Sequence, residues 1–182
     1  MEHIVDTIIP FSSLKSGVYH YDFTLDDSFF SDYKNEKIQG GNVVFNVKLD
    51  RKERTLMFFF TYSGTVHTQC DRCLGELDWP IEGSQTLCVK FSDTEQSDDE
   101  EVVILPEKVT QIDLAQWLYE YVAVAMPIQV LHPDDPSGAP TCDPEMMQFL
   151  SNEDDTTSSH DTDPDPRWAA LEALKQDASQ TN

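Results

Sequence analysis

Residues 43–64 read VVFNVKLDRKERTLMFFFTYSG. Apolar side chains recur at every second position from Val43 to Leu49, the charged stretch Asp50 to Glu53 interrupts them, and a second strand-like run follows from Arg54 to Gly64. A period of two belongs to a strand with one buried face, so the two runs predict a hairpin with Arg51, Lys52 and Arg54 near its tip. The run Phe58, Phe59, Phe60 is apolar on both faces, which predicts a strand covered on both sides, as in a closed or sandwiched sheet.

The same period extends outward. GVYHYDFTL (17–25) reads as a strand, and DDSFFSDY (26–33) as a short helix or turn that packs its phenylalanines. SQTLCVKF (84–91) puts Leu87, Val89 and Phe91 on one face and Thr86, Cys88 and Lys90 on the other. The adjacent glycines of IQGGNVVF (38–45) predict a bulge or turn entering a strand. SDTEQSDDEE (92–101), with six acids and no base, ends the sheet region as a solvated loop, and the short apolar VVIL (102–105) follows. The period then becomes helical, with Leu114, Leu118, Tyr121, Val122 and Ala125 on one stripe, Asp113 and Gln116 placed for a capping box, and Pro127 closing the segment. SNEDDTTSSHDTDPDP (151–166) has the composition of a disordered segment, and Trp168, Leu171 and Leu174 mark a short terminal helix with Pro166 in its first turn. The expected fold is α+β: a mainly antiparallel, partly closed, barrel-like sheet in the N-terminal half, covered by one amphipathic helix over about 113–126. The domain map is a β-rich domain over 1–150, an acidic disordered linker over 151–164, and a short helix and tail over 165–182.

The chain has 182 residues and a formal charge of −22, spread unevenly. Residues 1–92 hold 9 bases against 13 acids, a net of −4, while residues 93–182 hold 3 against 21, a net of −18. Nucleic-acid binding rests on Lys and Arg displacing counterions, so bare RNA suits the second half poorly and a basic protein surface suits it better. MEHIVDTIIPFSS has no basic region followed by a long apolar stretch, and 112–131 is too polar to span a bilayer. These features predict a cytoplasmic protein with no membrane partner, whose four cysteines stay out of disulfides.

HTQCDRCLGELDW (67–79) sets Cys70 and Cys73 in a turn between two strand-like runs. Three readings stand open. The turn is half of a tetrahedral zinc site completed by His132 and Cys142, or a reduced structural turn, or a redox dithiol. The redox reading wants a helix after the pair, and none is expected after Leu74. Cys88 reads as an ordinary core or surface thiol. The histidines are scattered and the serines lack a nucleophile elbow, so no catalytic residue and no small-molecule substrate are expected. Apart from one zinc ion in the metal reading, no cofactor is implied.

Taken together, CDRCLGEL (70–77), IDLAQWLYEYVAVAMPIQVLHP (112–133), CDP (142–144) and DPRWAALEAL (165–174) resemble the YceD family, bacterial proteins named for large-subunit ribosomal RNA accumulation. The resemblance covers about residues 40–176. It implies a non-enzymatic role in 23S ribosomal RNA accumulation and large-subunit assembly. Many relatives carry a second cysteine-rich stretch after the helix, of the Gly-Leu-Cys-x-x-Cys-Gly kind, where this chain has HPDDPSGAPTCDPEMM (132–147) and Cys142 alone. Two function classes follow. One is an assembly factor whose acidic surface engages a basic ribosomal protein or assembly factor, with a limited 23S rRNA contact. The other is a metal-stapled interaction module with no ribosomal role. Arg51, Lys52 and Arg54 at the hairpin tip, and Arg167 and Trp168 of the terminal motif, are the candidate RNA or partner contacts.

Overall fold

The computed structural model describes residues 6–92 and 102–154. Residues to Cys142 form one compact unit and those from Asp143 a second. In the first unit the elements run β1 (Ile8–Ile9), β2 (Gly17–Leu25), α1 (Asp27–Ser31), β3 (Gly40–Lys52), β4 (Thr55–Gln69), β5 (Glu76–Phe91), β6 (Val102–Leu105), β7 (Ile112–Asp113) and α2 (Ala115–Ala125). The second unit contributes α3 (Pro144–Asp154). The architecture is mixed α+β, mostly strands.

Five strands form one sheet in the order β2-β3-β4-β5-β6. The β3–β4 register pairs Lys52 with Thr55, so the predicted hairpin exists and its tip is Glu53-Arg54. β4 and β5 pair from Thr55↔Lys90 to Gln69↔Glu76, which puts Cys70 to Gly75 in the connecting turn. VVIL, left unassigned by the sequence, is β6, and it lies parallel to β5. β5 runs through Pro80, which lies where β5 has no second neighbour among the described residues, so a residue without an N–H is tolerated there. Gly40 and Gly41 open β3 in unbroken register with His67 and Val66, with no bulge. Gly41 takes φ 151°, and a Cβ on it would lie 2.5 Å from the Thr65 carbonyl oxygen, so only glycine fits.

One face of the sheet carries the core. Val43, Phe45, Val47 and Leu49 of β3 meet Leu56, Phe58, Phe60 and Tyr62 of β4 and Leu87 and Val89 of β5. Helix α2 closes over this face with Leu118 and Val122 fully buried, as its stripe predicts. The Phe60 and Tyr121 rings meet edge to face at 5.0 Å, and Tyr62 Oη donates to the Tyr121 carbonyl at 3.3 Å. Asp26 caps α1 through the Ser28 and Phe29 amides, and Phe30 of that turn is buried. The N-terminal segment is tied to the start of α2 by β1–β7 pairing and by Thr7 Oγ1 donating to Asp113 Oδ1 at 2.6 Å.

Several expectations change. Among the described residues no pairing closes the sheet, so it is open between β2 and β6. Phe58 and Phe60 are buried but Phe59 is 40% exposed, because among the described residues no layer covers the opposite face of β4. Asp113 does accept the Ala115 amide at 2.9 Å, whereas Gln116 turns to Glu120 and no capping box forms. Pro144–Asp154 is helical, so the first residues of the acidic run lie on a helix, and the remainder of 151–164 and the predicted helix after 165 lie outside the described residues. Among the described residues no helix is long and apolar enough to cross a membrane.

The two faces of β4 give opposite mutational outcomes. Phe58→Ala should cost about 3–5 kcal/mol in urea unfolding and Phe59→Ala less than about 1 kcal/mol. Equal costs would mean that the outer face is covered.

Candidate metal centre

The turn after β4 is fixed by its backbone. The Cys70 amide donates to the Gly75 carbonyl at 2.9 Å and the Leu74 amide to the Cys70 carbonyl at 2.9 Å. Leu74 takes φ 58°, the left-handed conformation that lets so short a loop turn back into β5. Cys70 and Cys73 are both buried, and the Arg72 amide points at the Cys70 sulfur at 3.4 Å.

A second segment closes over this turn. Pro127 forces Met126 into extended geometry (ψ 133°), which ends α2 and sends the chain back along the sheet end. The Asp71 amide donates to the Val130 carbonyl at 2.8 Å, and the Val130 amide donates to Asp71 Oδ2 at 2.7 Å. His132 follows two residues later. Asp135 then reverses the chain: Oδ1 accepts from the Ser137 and Ala139 amides at 2.8 and 2.9 Å, and Gly138 takes φ 84°. Thr141 Oγ1 donates to the Pro133 carbonyl at 2.6 Å, and the returning strand delivers Cys142.

The Cys70, Cys73 and Cys142 sulfurs and a His132 ring nitrogen all lie within 4.8 Å of one another. Cys70 and Cys142 Sγ are 3.8 Å apart, and Cys73 Sγ is 3.3 Å from His132 Nδ1. With zinc–sulfur bonds of about 2.3 Å, the sulfurs of a regular tetrahedron stand about 3.8 Å apart, so this group has the size to hold a metal ion. His132 Nε2 is 3.2 Å from the Glu76 carbonyl, which can only accept. In the neutral ring this contact keeps the proton on Nε2, which leaves the Nδ1 lone pair facing the sulfurs for a metal.

The electrostatics favour a cation at the centre. Burial pushes the Cys70 thiol up, but amides of Cys73 and Arg72 aimed at its sulfur outweigh this and bring its pKa down to about 6. Burial pulls His132 down, yet the Cys70 sulfur and the Glu76 carbonyl raise it overall. Burial and the neighbouring sulfurs push Cys142 up. The Arg72 guanidinium lies alongside, with Nη1 3.9 Å from Cys142 Sγ, where it would offset part of the negative charge of metal-bound thiolates.

The structure thus brings together all four metal candidates named from the sequence, and β5 rather than a helix follows the pair. Cys88 stands apart, half-buried on the outer face of β5. The basic tip is not one patch. Arg51 lines a cleft of about 530 Å³ with Phe11, Phe91 and Glu107, and its Nη1 is buried with no hydrogen-bond partner among the described residues. Lys52 stands 4.0 Å from Asp50, and Arg54 is ion-paired with Glu107. Arg167 and Trp168 lie outside the described residues. Sequence reasoning missed Asp71, Arg72 and the Glu76 carbonyl. Asp71 and Arg72 were legible as the polar pair between the cysteines, but backbone carbonyls carry no sequence signal.

The family model described as large ribosomal RNA subunit accumulation protein YceD matches residues 59–175. The chain belongs to the YceD family. It is similar to "Uncharacterized protein YlbN" of Bacillus subtilis (strain 168), at 30% identity over 132 residues, which is 71% of this chain and 73% of that relative. No solved structure matches it. Both the Cys-x-x-Cys turn and the segment that bears His132 and Cys142 fall within the residues matched to the YceD family.

Asp71 gives a test of the closure. The Val130 amide, opposed by partial burial and helped by Lys37, holds its carboxyl below the usual range. Such a group stabilises the fold above its unfolded pKa and loses that contribution as pH falls through the folded value. Asp71→Asn should therefore lower the melting temperature at pH 7, and its difference from wild type should narrow below about pH 4. A difference independent of pH would remove the charge from the account.

Proposed function

We propose that the protein is a non-enzymatic factor that supports 23S ribosomal RNA accumulation and large-subunit assembly in the cytoplasm, held in shape by one zinc ion and acting through protein contacts of its acidic surface. The family match over residues 59–175 carries the ribosomal reading. Zinc is supported by the donor set, since three sulfurs and one imidazole at tetrahedral spacing suit a soft, four-coordinate ion and leave no open position for chemistry. Cys70, Cys73, Cys142 and His132 would hold it, with the Glu76 carbonyl orienting the ring. Bound there, zinc supplies folding energy by cross-linking the β4–β5 turn to the segment after α2.

The protein contact is supported by α3. Met146, Phe149 and Leu150 recur at helical spacing, and Phe149 is 70% and Leu150 45% exposed. Asp143 and Glu145 lead into the helix, and residues 143–154 contain no base. An apolar stripe among carboxylates fits a basic protein surface with an apolar groove, as a ribosomal protein or assembly factor presents.

Protein purified without added metal should carry about one equivalent of zinc, and chelation should lower its melting temperature by roughly 10 °C or more. A metal content near zero, or indifference to chelator, would reject the staple. Co-sedimentation with large-subunit precursors at low salt tests the ribosomal role, and the full chain should pellet with them. Phe149→Ala with Leu150→Ala should weaken that association about tenfold or more, and recovery of the chain in the free fraction at every salt concentration would overturn the role.

A further inference from the structure

Among the described residues nothing covers the outer face of the sheet, and at its hairpin end Lys48, Lys52 and Lys90 outnumber the acid Asp50. Lys48 pairs with Phe59 across β3 and β4, with His20 of β2 on one side and Thr86 of β5 on the other. All four side chains are exposed. The Lys48 ammonium sits 5.6 Å from the centre of the Phe59 ring. Lys52 and Lys90 flank Thr55 four residues along β4, about 13 Å away and on the same face. Among the described strands the opposing charges on this face are Asp50, half-buried and beside Lys52, Asp22, one row on from His20 and next to Asn46, and further off Glu82, Asp78 and Glu76. Three of the chain's twelve bases therefore lie between one exposed aromatic ring and the hairpin end of the sheet, Lys48 beside the ring and Lys52 and Lys90 farther along.

We propose that this face, built from Phe59, Lys48, Lys52, Lys90 and His20, binds a short single-stranded RNA segment. The ligand class follows from the chemistry. A flat ring open to solvent on a rigid strand stacks one base regardless of its identity, while Lys48 beside the ring and Lys52 and Lys90 toward the hairpin end take backbone phosphates on one side of it. Lys48 covers the ring in the free protein and swings to a phosphate when a base replaces it. Duplex RNA offers no unstacked base to Phe59, and an acidic protein segment has no use for the ring. The net charge of −22 does not forbid the contact, because at physiological salt charges beyond about 8 Å are screened and the local balance decides, Lys48, Lys52 and Lys90 against Asp50 and Asp22. The site also differs from the hairpin-tip cluster expected from sequence: Lys52 belongs to it, while Arg51 and Arg54 are turned to the cleft beside Glu107.

The identity of the nucleic acid as RNA rests on the ribosomal reading; the stacking face does not. Fluorescence anisotropy of the full chain with a labelled single-stranded RNA of about 12 nucleotides, between about 50 and 200 mM salt, tests it. Wild type should bind, Phe59→Ala should bind about tenfold more weakly with the salt slope unchanged, and Lys48→Gln with Lys52→Gln and Lys90→Gln should flatten the slope by about 2. Circular dichroism melts confirm that both variants fold. No binding by wild type, equal binding by Phe59→Ala, or equal affinity for a duplex of the same length would overturn the proposal. Particle co-sedimentation of the same proteins separates the two readings. Oligonucleotide binding without particle association supports the face and removes the ribosomal role, whereas particle association without oligonucleotide binding keeps that role and overturns the face.

Discussion

The reciprocal pair of hydrogen bonds between Asp71 and Val130 is the contact on which the rest of this architecture turns. It joins the turn between β4 and β5 to the chain leaving α2, two segments 59 residues apart. Without it, His132 and Cys142 would sit on an irregular stretch with no fixed relation to Cys70 and Cys73. Each bond of this kind contributes only about 1 kcal/mol. Its effect is larger because it selects which face the returning segment presents. Lys37 reinforces the junction, reaching both Asp71 Oδ1 at 3.5 Å and the Ile128 carbonyl at 3.3 Å.

Much of the fold was legible in residues 17–91 and 112–127 because the core there is written in period. Val43 to Leu49 alternate, and they alternate in burial. Leu118 and Val122 sit on the predicted stripe and are buried. The reading failed where a pattern was ambiguous. Three consecutive phenylalanines fit a doubly covered strand, yet Phe59 faces outward, and nothing in its own residue type distinguishes a covered outer face from an open one. Strand β6 was missed because four apolar residues without alternation fit a buried strand or a helix end equally well.

The site was legible in its ligands and not in its assembly. Cys-x-x-Cys between strands is a metal turn only if further donors arrive, and the chain lacks a second such pair. What delivers them is turn chemistry spread over the twelve residues 127–138: Pro127 stops the helix, Asp135 binds its own backbone two and four residues on, and Gly138 supplies the positive φ. That Pro-, Asp- and Gly-rich composition resembles the composition of a disordered linker, but here each of those residues has a specific structural use. Composition alone cannot separate the two cases. Hydrogen bonds from side chain to local backbone can.

The position of the cysteines follows from the lengths of the elements. β4 has 15 residues and spans about 50 Å, while α2 has 11 and spans about 16 Å. One helix therefore covers only the middle of the inner face. At the hairpin end the gap is filled by the N-terminal turn, where Phe11 packs on Phe91 with ring centres 5.0 Å apart. At the opposite end Phe30 of α1, Ile38 and Val66 still belong to the core, and beyond them the buried side chains are small: Cys70, Cys73, Val130 and Cys142. A metal centre suits such an end because a few bonds of high energy replace the broad apolar contact that a short loop cannot supply. Among the described residues the same shortage of covering elements leaves the outer face open, so the exposed Phe59 and the buried cysteines have one cause: a long sheet with only the short helices α1 and α2 packed on it.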